Sequence, residues 1–299
     1  EKMVLPVDGY NLVLTIDEVI QYIAERELDK AFKAYHAKGA SIVMMNPQTG
    51  EILAMANRPT FDLNEYALVG EDIKRNRSVS DLFEPGSVFK IVTASAALEE
   101  KKVVEDDKFF CENGSYKVAS HTLHDHQPHG WLNFREVIEQ SSNIGTTKVA
   151  QILGPELLCR YIKLFGFGSK TGIDLPGEIR GIVKEPRSWS KISIAAIPIG
   201  QEIGVTTLQL AVAMSVIANG GNLLRPFVVK EIRDTHNEII KSFSPALIRK
   251  VITEETANRT KKILTGVVEE GTGKSAKITG SSVAGKTGTA QKLESDGRY

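Results

Sequence analysis

The chain has 299 residues, and its 37 Lys+Arg are balanced by 37 Asp+Glu, so no net field gathers nucleic acid or an anionic membrane surface. Hydrophobic residues at 41% and charged residues at 25% are those of a globular protein able to bury a large core. Two cysteines, Cys111 and Cys159, are too few for a disulfide framework, and no apolar run approaches the ~20 residues of a membrane span.

Tyr10 to Ile16 is predicted as a strand from its β-branched and apolar content. Thr15 and Glu18 have capping-box spacing, and Ile16, Val19, Ile20, Ile23, Leu28, Phe32 and Tyr35 then recur as one helical stripe, ended by Gly39. Ser41–Met45 and Glu51–Met55 read as two strands around the turn residues Asn46 to Gly50. Ser87 to Leu98 is apolar nearly all round, the mark of a buried helix. Helical patterns follow at 133–153, 155–166 and 207–219, the last ending at Asn219-Gly220-Gly221. Phe227–Ile232 reads as a strand, 253–269 as a helix before the turn Gly271-Thr272-Gly273, and Ser282–Gln291 as a final strand. The order predicts an α/β (α+β) fold, an antiparallel sheet flanked by helices with an all-helical lobe inserted between sheet elements, in one domain.

Three short motifs fall along this framework. Ser87-Val88-Phe89-Lys90 follows Glu84-Pro85-Gly86, so Ser87 occupies the first turn of the buried helix, where free N–H groups and the positive dipole end stabilise a negative oxygen. Lys90 shares its face three residues on, and burial there would lower its pKa and make it a base. The bland alternative is a serine N-cap and a lysine snorkelling to water. Ser141-Ser142-Asn143 sits where one helical pattern gives way to another, and reads either as a cap or as a turn presenting Ser141 and Asn143 into a cleft. Gly285-Lys286-Thr287-Gly288-Thr289 puts two glycines in a strand, which calls for close approach of another backbone, such as a peptide lying along it. Thr287 and Thr289 share a face and, with Lys286, suit a carboxylate; the alternative is a glycine bulge in an edge strand.

In this order the three motifs describe a serine acyl-transfer site, and the chain resembles the transpeptidase domain of class B penicillin-binding proteins, with the penicillin-binding/serine β-lactamase-like fold. Leu14-Thr15-Ile16-Asp17, Thr49-Gly50-Glu51-Ile52-Leu53-Ala54-Met55, Phe83-Glu84-Pro85-Gly86-Ser87, Gly200-Gln201, Thr207-Leu208-Gln209, Asn219-Gly220-Gly221 and Ala284-Gly285-Lys286-Thr287-Gly288-Thr289 carry the likeness across the whole chain. Asn76-Arg77-Ser78-Val79 resembles the division-type members. The resemblance implies Ser87 as nucleophile, Lys90 as its general base, and Ser141 and Lys286 in a proton-relay and electrostatic network. It implies Asn143, Thr287, Gly288 and Thr289 as substrate-binding residues, with an oxyanion hole from the N–H groups of Ser87 and Thr289.

The implied substrates are peptidoglycan stem peptides ending in D-Ala-D-Ala, with β-lactams as covalent inhibitors and no metal or organic cofactor. A membrane glycosyltransferase and divisome proteins are the implied partners, and nucleic acid is not. Also implied are further C-terminal strands and a helix after residue 299, and a membrane anchor and pedestal domain before Glu1. The catalytic domain would then lie on the extracytoplasmic side of the cell membrane. A non-catalytic penicillin-binding sensor or scaffold, and a serine β-lactamase or D,D-carboxypeptidase, are the alternatives.

His121, His124, Asp125, His126 and His129 form a dense cluster that reads as a polar loop near the cleft rather than a metal site. Gly271-Thr272-Gly273-Lys274-Ser275 lacks the earlier glycine of a phosphate loop, its place being taken by Val268.

Overall fold

The computed structural model describes residues 8–290. Strand β1 (Asn11–Leu14) leads into helix α1 (Glu18–Ala34). Asp17 caps that helix, its carboxylate accepting from the Ile20 N–H at 2.9 Å. Thr15, expected to do so, is buried and donates its hydroxyl to the Ile52 carbonyl at 2.6 Å. The apolar stripe of α1 is also narrower than its sequence suggests. Ile20, Ala24 and Leu28 pack on Ala54 and Ala56, while Val19, Ile23 and Tyr35 are exposed. Small residues on both sides let helix and strand approach closely, and a reading keyed on large side chains passes over Ala24.

The predicted hairpin is present as β2 (Ala40–Met45) and β3 (Ile52–Arg58), antiparallel from Ala40↔Arg58 to Met45↔Ile52. Two single-turn helices, α2 (Glu71–Lys74) and α3 (Arg77–Ser80), lead to a 3-10 turn at Gly86–Phe89 and on into α4 (Lys90–Glu99). Next come β4 (Lys108–Phe110), β5 (Ser115–Val118), β6 (His121–His124) and β7 (Trp131–Asn133). Helices α5 (Phe134–Glu139), α6 (Asn143–Leu153), α7 (Pro155–Leu164), α8 (Ser193–Ala196) and α9 (Thr207–Ala218) follow. The chain then forms β8 (Asn222–Leu224), β9 (Val229–Arg233), β10 (Ile239–Ser242), β11 (Leu247–Lys250) and α10 (Glu254–Glu269).

Among the described residues the named strands pair antiparallel, in one three-stranded sheet ordered β1-β9-β10 and four two-stranded ribbons. Two of those ribbons, β4–β7 and β5–β6, lie within the otherwise helical lobe. The predicted strand from Ser282 joins no ladder among the described residues, and its last residue, Gln291, lies outside them. The Gly285 N–H instead bonds to the Leu264 carbonyl of α10 at 3.1 Å. The core centres on α4, whose residues Lys90 to Leu98 are all buried, wrapped by α6, α7 and α10. A helix enclosed on every side must be largely apolar on every side, as this one is apart from Lys90 and the buried hydroxyls of Thr93 and Ser95.

Replacing Asp17 by Ala is expected to cost about 1 kcal/mol of stability, within the ~0.5–2 kcal/mol typical of a lost N-cap. Urea unfolding checks this, and an unchanged midpoint would show that the cap is dispensable.

Candidate active site

The site is assembled at the N-terminal end of α4. Ser87 lies in the 3-10 turn, half-buried, and Lys90 one turn later is fully buried with 0% exposure, so it does not snorkel to water. The turn is held from outside by the 200–205 segment. Phe83 and Val205 exchange backbone hydrogen bonds at 3.1 and 3.0 Å, the Gly86 N–H donates to the Gly200 carbonyl at 3.1 Å, and the Glu202 N–H donates to Glu84 Oε1 at 2.9 Å. Burial of the Glu84 carboxyl raises its pKa.

Glycine makes this packing possible. A Cβ at Gly200 would stand 2.1 Å from the Gly86 carbonyl oxygen, and one at Gly86 (φ +56°) would stand 2.4 Å from the Thr289 carbonyl oxygen. Neither distance is one a side-chain carbon can occupy, so these backbones stack only as glycines. Gly288 belongs to the same stack. Its missing Cβ would meet Val88 Cγ2 at 2.6 Å and the Pro85 carbonyl at 3.0 Å. On its Cβ side, this glycine admits the protein's own nucleophile turn.

The helical pattern at 133–153 breaks at Ser141, whose φ of +59° is left-handed. Ser142 caps α6 by accepting from the Gly145 N–H at 2.9 Å, while Ser141 and Asn143 face inward to Lys90. The Lys90 amine donates to the Ser141 carbonyl at 2.5 Å and to Asn143 Oδ1 at 2.8 Å, and lies 3.3 Å from Ser141 Oγ. From the opposite side the Lys286 amine donates to the same Ser141 hydroxyl at 2.8 Å and to the Thr287 carbonyl at 3.1 Å. Residues 90, 141, 143 and 286 thus converge at one point. Burial, reinforced by the charge of Lys286 and opposed by Asp125, holds the Lys90 pKa well below the ordinary lysine value. Burial also pushes Lys286 down to about 8.

Among the described residues the Ser87 hydroxyl has no hydrogen-bond partner, so the expected contact with Lys90 is not made here. Catalytic hydrogen bonds of this kind are often long in a free site and tighten when a substrate arrives. Thr289 lies against Gly86 and is exposed. Thr287 is also exposed, and its hydroxyl lies 2.8 Å from that of Thr272. Thr272 comes from the glycine turn dismissed as a phosphate loop, and its N–H donates to the Glu139 carbonyl at 3.2 Å, which ties α5 to the Lys286 segment.

The histidine-rich stretch, read as a polar loop, runs from β6 into the segment after it and lies beside the Ser142–Ile144 turn. His121, His124 and His126 are exposed, and among the described residues no three His, Cys, Asp or Glu side chains converge as a metal site would need. Asp125 and the His124 carbonyl instead bond to the Ser142–Ile144 turn. Sequence reasoning missed that link. Its only trace was an acidic residue among histidines, with nothing to name its partners. Cys111 and Cys159 are both buried and free.

The comparisons with known proteins agree with this geometry. The family model "Penicillin binding protein transpeptidase domain" matches residues 40–299. Stage V sporulation protein D of Bacillus subtilis is 43% identical over 299 residues, covering 98% of this chain and 46% of that protein. The protein named probable peptidoglycan D,D-transpeptidase PenA of Neisseria flavescens is 33% identical, covering 99% of this chain and 70% of its own length. The crystal structure of penicillin-binding protein 3 from Mycobacterium tuberculosis, complexed with aztreonam, superposes with a TM-score of 0.91 at 35% identity, over 97% of this chain and 66% of that one. The chain spans about half the length of several curated relatives it matches. A match of this extent means that the chain belongs to the penicillin-binding protein transpeptidase domain family.

Proposed function

We propose that this domain is a serine D,D-transpeptidase that cross-links peptidoglycan stem peptides. The observation that carries the reading is the buried Lys90 amine, one turn from Ser87 and bonded to Ser141 and Asn143, with Lys286 on the other side of the same Ser141 hydroxyl. A neutral amine in that position can take a proton, and a cation beside it can hold the hydroxyl through which a proton returns.

In the proposed sequence Ser87 Oγ attacks the carbonyl of the penultimate D-Ala and its proton passes to Lys90. The N–H groups of Ser87 and Thr289 stabilise the tetrahedral oxyanion, a contribution worth ~2.7–4 kcal/mol per donor in comparable sites. Collapse breaks the peptide bond, and the departing D-Ala takes its proton through Ser141 and Lys286. Asn143 holds the donor peptide, and Thr287, Gly288 and Thr289 line its terminal carboxylate. The amine of a neighbouring stem peptide then attacks the acyl-enzyme, releasing Ser87 and forming the cross-link. A β-lactam opens on the same serine but keeps its leaving group tethered, so the acyl group persists.

The reading extends to a domain held on the extracytoplasmic side of the cell membrane and working with a membrane glycosyltransferase and division proteins. Asn76-Arg77-Ser78-Val79 supports a role at division, and the Bacillus subtilis relative, named for sporulation, supports one in sporulation.

Full-length protein incubated with a fluorescent penicillin is expected to retain label on Ser87, and to release D-Ala with a cross-linked product from stem peptides. Rapid loss of label would point to a lactamase, and persistent label without product to a sensor. Ser87→Ala is expected to abolish labelling, and Lys90→Met to slow it by about 10²–10⁴-fold, the range for a lost general base. Labelling of Lys90→Met at the wild-type rate would remove the base assignment.

The acylation rate is expected to rise with pH as Lys90 loses its proton and to fall above about 8 as Lys286 loses its own. Both limbs belong to the coupled pair. Lys286→Arg should carry the alkaline limb upward, because guanidinium does not titrate there. An unmoved alkaline limb in that variant would contradict the assignment.

A further inference from the structure

The proposed function leaves unused the His-rich stretch that runs from β6 toward β7. Its acidic member reaches the site. Asp125 Oδ2 accepts from the Ser142 hydroxyl at 2.6 Å, and Oδ1 accepts from the N–H groups of Asn143 at 2.5 Å and Ile144 at 3.0 Å. The adjacent His124 carbonyl accepts from Asn143 Nδ2 at 2.8 Å. Four hydrogen bonds from one short segment therefore grip the three residues after Ser141.

The grip fixes two things that the chemistry needs. Ser141 is left-handed, a conformation a serine does not hold without support, and the residue after it is anchored by Asp125. Asn143 has an amide that could face either way. With Nδ2 held by the His124 carbonyl, Oδ1 is left to accept from Lys90 at 2.8 Å; the reverse orientation would set two donors against each other. The segment also carries charge. Lys90 is faced by Lys286, and Asp125 is the carboxylate that opposes this pair among the described residues.

We propose that Asp125 is a positioning residue of the transpeptidase site, clamping the Ser141–Asn143 turn so that the Ser141 hydroxyl and the Asn143 amide oxygen meet the Lys90 amine. This rests on the reading of Ser87 as the acylated serine. It also goes beyond helix capping: Ser142 already caps α6 by itself, whereas Asp125 ties that cap to a separate ribbon of the lobe.

The test is the second-order rate of acylation of full-length protein by a fluorescent penicillin, followed across pH, for Asp125→Ala, Asp125→Asn and a control, Asn133→Ala. Asn133 caps α5 in the same lobe without touching the Ser141–Asn143 turn, so its loss lowers stability alone. Asp125→Ala is expected to slow acylation by about 10–100-fold, the scale of a sub-ångström to ångström misplacement of a catalytic group. Asp125→Asn is expected to slow it less and to move the acid limb to lower pH, because Lys90 then faces Lys286 with no opposing carboxylate. Asn133→Ala is expected to acylate at the wild-type rate despite its lower Tm.

The proposal is overturned if both Asp125 variants acylate within about twofold of wild type with an unmoved acid limb, the change that loss of a group without a positioning role would give. It is equally overturned if Asn133→Ala slows acylation as much at matched Tm. Should Asp125→Ala not fold, Asp125→Asn decides alone. Failure of the wild-type protein to label would sink the reading of Ser87, whereas labelled wild type with indifferent Asp125 variants would sink only this inference.

Discussion

The constraint on which the structure turns is an amine with no water. Lys90 opens the most enclosed helix of the chain and is buried completely. A lysine there is costly as a cation, and among the described residues it bonds to no carboxylate: its short contacts are the Ser141 carbonyl and the amide oxygen of Asn143, with the Ser141 hydroxyl further off at 3.3 Å. Those two acceptors use the two N–H bonds of a neutral amine and leave its lone pair free. Burying Lys90 costs stability and lowers its pKa well below the ordinary lysine value, which makes it a better proton acceptor than a surface lysine. The compensating term is the apolar shell of α4 itself, from Ile91 to Leu98, whose packing fixes the helix and the turn before it.

Bringing the other segments to that amine requires backbones to touch where side chains would keep them apart. Gly86, Gly200 and Gly288 stack three regions distant along the chain: the nucleophile turn, the 197–200 turn and the Lys286–Thr289 segment. Each contact is shorter than any Cβ allows. The glycines therefore act together as a spacer of minimum thickness, and the distance between Ser87 and Thr289 is set by it.

The polar groups around Ser141 form a small network with two lysines and, one bond further out, one carboxylate. Burial lowers the pKa of both lysines, Lys286 to about 8, so one protonated and one neutral lysine can coexist on either side of a single hydroxyl. Like charges in contact favour such sharing, because the second proton is harder to hold than the first. Proton transfer through Ser141 then needs no rearrangement of heavy atoms.

Much of this was legible in the chain itself. The periodicity of the apolar residues gave the helices, the turn residues between Met45 and Glu51 gave the hairpin, and the residue types at 87, 90, 141, 143 and 286 named the chemistry, because hydroxyl, amine and amide groups are local properties of side chains. What the chain could not carry was anything fixed by a partner remote in sequence. Asp17 rather than Thr15 caps α1 because Thr15 is drawn to the Ile52 carbonyl. Gly288 serves Val88 and Pro85 because those residues happen to be opposite it, and Asp125 serves Ser142 and Asn143 for the same reason. The segment from Ser282 has strand composition but finds α10 rather than a ladder among the described residues. Sequence alone determined which groups are present and which helices and turns hold them, since both depend on neighbours a few residues away. Only the tertiary structure decided which of them meet, since hydrogen bonds and close backbone contacts act across ångströms of space and are blind to separation along the chain.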